Sequence, residues 1–141
     1  MKISKRTDYG CRALLDLALH WPSVNPHPIQ AVAERQGIPI KFLTQILIQL
    51  KQAGYIKSVR GKHGGYLLAM PPKDVKLKNI VQLFGSFDLT ENHKFSTADC
   101  HVMDVIWQEI NQVLQSQLEM IDYEILCDRV RRQSQTLTFD I

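Results

Sequence analysis

Cysteine is scarce in this chain. Its 141 residues contain three, at positions 11, 100 and 127, with no Cys-x-x-Cys pair. An odd, widely spaced set excludes a disulfide framework and the common four-cysteine zinc sites. Long apolar runs are missing too. Stretches such as Phe42-Leu43 and Ile46-Leu47-Ile48 are broken by polar residues, well short of the roughly 20 apolar residues a membrane span needs. The opening MKISKRTDYG is cationic but lacks an apolar core and a small-residue cleavage site. No signal peptide is read, and a cytoplasmic protein is expected. No phosphate-cradling glycine loop, nucleophile–base pair or paired carboxylates occur, which argues against an enzyme. The 45% hydrophobic and 22% charged content is ordinary for a globular domain and excludes wholesale disorder.

What charge there is lies unevenly. Residues 1–80 carry 13 Lys and Arg against 4 Asp and Glu, whereas residues 81–141 carry 4 against 10. A basic part this strong suggests a polyanionic partner. The acidic remainder would be repelled by that partner and so has another task. Charge serving solubility alone would be interspersed.

Apolar periodicity orders the chain into short helices around one hairpin. Tyr9, Ala13, Leu14, Leu17 and Ala18 predict a helix from Lys5 to His20, ended by Trp21-Pro22. Ile29 to Gln36 is a short helix stopped by Gly37, and Pro39 opens another from Ile40 to Ala53. That helix turns Leu43, Ile46, Leu47 and Leu50 inward and Lys41, Thr44, Gln45 and Gln49 outward. Tyr55 to Val59 and Tyr66 to Met70 alternate as strands about the turn Arg60-Gly61-Lys62-His63-Gly64-Gly65. Leu77 to Phe84 forms a further amphipathic helix, and Gly85 to Asp99 reads as a loop. Cys100 to Ile121 forms the longest helix, with a stripe through Val102, Ile106, Ile110, Val113, Leu114 and Leu118. So small a protein cannot cover such a rod, and a second copy is the simplest cover. Tyr123 to Arg132 is a last short helix, with a loose tail beyond it.

Helix, glycine turn, helix and two-stranded hairpin is the order of a winged helix-turn-helix. The expected fold is mainly α with a small β-hairpin. A helix of this width fits the major groove of double-stranded DNA. Gln45 suits adenine and Thr44 a thymine methyl, and Lys41 adds charge to the same face. The light basic turn, with Arg60, Lys62, His63 and Gly64, suits close approach to phosphate. The alternative is a winged-helix module for protein–protein assembly, its basic face meeting an acidic partner.

The run GYIKSVRGKHGGYLLA (Gly54 to Ala69), with IQAVAERQGIPIKFLTQILIQLKQA before it, resembles the IscR/NsrR/CymR family of bacterial winged-helix regulators. TDYGCRALLDLA (Thr7 to Ala18) resembles that family's first helix. The resemblance is close over residues 1–84 and looser over 85–125. It implies a homodimeric transcription regulator reading an imperfect palindrome, its two recognition helices in major grooves about 34–36 Å apart. It also implies DNA contacts at Lys41, Thr44, Gln45, Arg60, Lys62, His63 and Gly64. Residues 1–84 would be the DNA-binding domain, 85–99 a sensor loop, and 100–141 the dimerisation helix and C-terminal segment.

Many members of that family hold an iron–sulfur cluster through three loop cysteines. Here only Cys100 stands in that region, with His93 near the position of the first. Asp8 resembles a position from which some members supply a carboxylate, and Cys11 lies one helical turn on. The candidate ligand set is therefore Cys100, Cys11, Asp8 and His93, since histidine can replace cysteine as a cluster ligand. The other reading has the cluster lost. Asp8 is then a carboxylate at a helix N-terminus, Cys11 a core residue and Cys100 a redox thiol.

Overall fold

The computed structural model describes residues 2–85, 88–89 and 98–139, with the backbone alone at 98–100 and 137–139. Helix α1 (Lys5–Ala18) starts where Ser4 Oγ accepts the Thr7 amide at 3.1 Å, meeting one of the unpaired amides of a helix start. Its inward stripe of Ala13, Leu14, Leu17 and Ala18 is buried, and α1 packs on most of the helices that follow. Helix α2 (Ile29–Gln36) ends at Gly37, whose φ of 63° is the left-handed conformation glycine tolerates. Helix α3 (Ile40–Gln52) follows, capped by Pro39, and buries Leu43, Ile46, Leu47 and Leu50. Each such side chain contributes about 1.5–3 kcal/mol by leaving water.

Strands β1 (Ile56–Val59) and β2 (Gly65–Leu68) pair antiparallel, with Ile56 opposite Leu68 and Val59 opposite Gly65. The strands are shorter than their alternation suggested, and Gly65 belongs to β2 rather than to the turn. Packing explains why that position is glycine. A Cβ at Gly65 would lie 2.3 Å from the His27 carbonyl oxygen, and one at Gly64 would lie 2.2 Å from that of Val59. His27 itself pairs with β2, since its amide and carbonyl both bond Tyr66 at 2.9 Å. The hairpin is thus tied to the loop between α1 and α2.

Helix α4 (Leu77–Phe84) buries Ile80, Val81 and Phe84 against α1. Helix α5 (Ala98–Met120) leaves the body as a long rod, and α6 (Tyr123–Phe139) returns to it. The tail expected to be loose beyond Arg132 is helical to Phe139, a correction to the reading from apolar periodicity. Buried Tyr123 and Cys127 anchor α6 in the same core as α1, and the helix continues from that anchor through polar residues. The strand-like pairing of Lys76 with Asp122 fastens the start of α6 beside α4. Among the described residues, no helix is long and apolar enough to cross a membrane.

Candidate nucleic-acid interface

With the apolar side of α3 committed to the core, Lys41 and Gln45 stand exposed on its other side. They line a groove with Phe42 and with Arg6 of α1. Arg6 donates to Gln49 Oε1, its Nε at 3.1 Å, which joins the start of α1 to the outward face of α3. Phe42 packs edge-on against Tyr9, with ring centroids 5.9 Å apart. Arg6 and Phe42 were not among the residues expected at this face. Arg6 lies 43 residues from its partner, so no spacing rule could have found it. Thr44 donates its hydroxyl to the Ile40 carbonyl at 2.8 Å, leaving its methyl as the distinctive outward group.

The hairpin forms a second cleft. Arg60, Lys62 and Gly64 line it with Ser58 and with Gln30 at the start of α2. Lys62 and His63 are exposed at the tip. The polar heads of Lys41, Gln45, Arg60, Lys62 and His63 have no partner among the described residues. Several other basic groups are already engaged: Arg6 with Gln49, Arg12 with Asp8, Arg35 with Asp16 and Lys78 with Glu119.

The helix pair is held by a buried charge. Asp16 on α1 is 2% exposed and takes a two-pronged bond from Arg35 on α2, at 2.9 and 2.8 Å. Gln36 adds a third bond at 3.2 Å. This charge-assisted clamp fixes α2, and so the platform on which α3 stands.

The expected cluster ligands fare differently. Asp8 is ion-paired to Arg12. Cys11 lies with Asp8 on an apolar groove closed by Leu77, Val81 and Leu118. Burial pushes its thiol up to about 11, and the charge of Asp8 adds to the effect. A cluster is held mostly by thiolates. Binding one here would have to displace the Cys11 proton and the Arg12 partner of Asp8. His93 and the Cys100 side chain lie outside the described residues. Among the described residues, no three His, Cys, Asp or Glu side chains converge to hold a metal ion.

The fold has relatives among known proteins. Residues 3–129 match the Rrf2 family model, described as an iron-dependent transcriptional regulator. The chain belongs to the Rrf2 family. It is 44% identical over 81 residues to Protein rrf2 of Nitratidesulfovibrio vulgaris, covering 57% of this chain and 53% of that protein. It is 30% identical over 140 residues to the HTH-type transcriptional regulator IscR of Aliivibrio salmonicida, covering 94% of this chain and 82% of that one. Among solved structures, T. potens IscR superimposes with a TM-score of 0.77 at 31% identity, over 92% of this chain and 88% of that one. The match to Protein rrf2 thus spans about half of that relative's length, whereas the match to IscR extends through α5 and α6. The family description and the A. salmonicida relative's name are those of transcriptional regulators, not of enzymes.

Proposed function

We propose that this Rrf2-family chain is a sequence-specific DNA-binding transcription regulator that acts as a homodimer. One observation carries the reading. Lys41 and Gln45 of α3 and Arg60, Lys62 and His63 of the hairpin have no partner among the described residues, while the inward groups of the same elements build the core. In this reading α3 enters the major groove, with Gln45 reading a base edge and Thr44 offering a methyl. Arg60, Lys62 and His63 then meet phosphate or the minor groove. Gly64 acts by letting the turn close. The second copy covers α5, whose Val102 and Val113 are 62% and 64% exposed. Two such readers suit an imperfect palindrome.

An electrophoretic shift on DNA from the protein's own promoter region, run across a salt series, tests this. Affinity is expected to fall steeply with salt and still to discriminate sequence at moderate salt. Binding with no sequence preference, or with a weak salt dependence, would favour the protein–protein module.

In this reading sensing belongs to the loop 85–99 and to Cys100, which follows it. Asp8 and Cys11 come second as ligands in this reading, since each would first have to give up its ion-pair partner or its proton. Any iron–sulfur cluster would need Cys100, His93 and donors beyond those two. Cys100→Ala is expected to abolish the difference in promoter affinity between oxidised, reduced and iron-loaded protein. Retention of that difference would remove the sensor role. A visible spectrum of protein purified without oxygen separates the two chemistries. Brown colour with stoichiometric iron and sulfide means a cluster, and a sample still colourless after reconstitution favours a thiol or partner-based switch.

A further inference from the structure

The loop between α1 and α2 carries a histidine whose surroundings oppose its protonation and whose backbone holds the wing. His27 Nδ1 lies 3.4 Å from an Arg35 nitrogen, which can only donate. Nδ1 therefore accepts, and in the neutral ring Nε2 carries the hydrogen. Nε2 is buried with no hydrogen-bond partner. The ring stacks on His20, centroids 4.1 Å apart, and His20 Nδ1 donates to the Asp16 carbonyl at 2.8 Å. The charged or titratable groups facing His27 are thus Arg35 from α2 and His20 and Asp16 from the α1 side, while the wing meets it through the Tyr66 backbone. Asp16 attracts a proton on His27, but Arg35 already holds that carboxylate with two bonds.

We propose that His27 is a positioning residue for the wing, holding it docked while its imidazole is neutral and releasing it when the imidazole takes up a proton. A proton entering at Nδ1 sets two donors face to face and adds positive charge beside Arg35. The ring is held between His20 and Arg35 with its Nε2 buried, so in this proposal the repulsion strains the residue whose backbone makes the two Tyr66 bonds at 2.9 Å. Tyr66 pairs with Ser58 on its other side, so the effect reaches the strand that leads to Arg60 and Lys62. Burial, with His20 and Arg35, lowers the His27 pKa from its ordinary value. The neutral form is therefore favoured by the docked wing. Docking is complete above the ordinary histidine value and is lost as pH falls through the lowered one.

The inference rests on the DNA-binding reading for its consequence but not for its mechanism, so the test has two arms. In the first, wild-type protein without DNA is titrated from about pH 7.5 to about pH 5.5. The His27 ring is followed by NMR, and the protection of the Tyr66 amide against exchange is measured relative to that of Leu47 in α3. Tyr66 protection is expected to fall with the His27 midpoint. In the second arm, promoter affinity is measured over the same range. Wild type is expected to weaken by up to about tenfold per pH unit, the limit for one proton, and His27→Gln to stay flat. Tyr66 protection indifferent to the His27 titration overturns the proposal, as does an acid loss of affinity retained by His27→Gln. Tracking of Tyr66 in a protein that binds no DNA at any pH supports the wing coupling and sinks only the DNA reading. The first arm needs no variant and stands even if His27→Gln folds poorly.

Discussion

Gly10 and Cys11 are neighbours on α1 with opposite roles. A Cβ on Gly10 would lie 2.3 Å from the ring of Phe84, which is itself buried on α4. Gly10→Ala gains about 1 kcal/mol of helix propensity but forces that ring to move. A net destabilisation of about 1–3 kcal/mol is expected from the overpacking, read as a lowered thermal midpoint. An unchanged midpoint would mean that α4 yields easily. Cys11 is half-buried, its carbonyl bonded by the Tyr123 hydroxyl at 3.1 Å. With its thiol raised to about 11, it stays protonated near neutrality. Alkylation of Cys11 in native protein is therefore expected to be slow at about pH 8 and to reach the rate of a free thiol only on unfolding. Fast native labelling would show a thiolate there and reopen its candidacy as a ligand.

At the scale of elements, the proposed reading divides recognition between α3 and the wing. Gln45→Ala is expected to lower affinity for the preferred sequence by about 1–3 kcal/mol and to relax preference at one position. Lys62→Ala is expected to weaken binding evenly across sequences and to reduce the salt slope by about one. Titrations of both variants on matched and scrambled DNA separate these effects. If Gln45→Ala behaved like Lys62→Ala, α3 would be touching backbone rather than bases. The outward side of α3 was legible in the sequence because Leu43, Ile46, Leu47 and Leu50 recur at helical spacing, which assigns the other side by exclusion. Arg6 was not legible. It reaches α3 only because α1 crosses beneath it.

For the whole molecule, the proposed dimer rests on α5. Val102, Ile106, Ile110 and Val113 recur at steps of four, four and three, and all are exposed in the single chain. Ile110→Glu is expected to shift sedimentation from dimer to monomer and to lower promoter affinity at least tenfold, since one half-site then binds alone. A dimer that survives Ile110→Glu would place the interface elsewhere. The fold of each copy should persist, because α6 is anchored independently by Tyr123 and Cys127 in the core of α1.

The order of elements and most of their limits were written in local chemistry: the Ser4 cap, the Gly37 stop, the apolar periods and the glycine turn all act within a few residues. The uncovered stripe of α5 was readable for the same reason. What the chain order could not disclose depends on contacts made at a distance. Asp16 with Arg35, Arg6 with Gln49, Tyr123 with Cys11 and His27 with Tyr66 are separated by 19 to 112 residues. Each exists only once the helices have packed. Asp8 and Cys11 show the same limit, since spacing puts both on one helix face while burial and Arg12 decide their charge. Local pattern decided which segments fold and which side each turns inward. Packing decided which polar groups remained free to meet a partner.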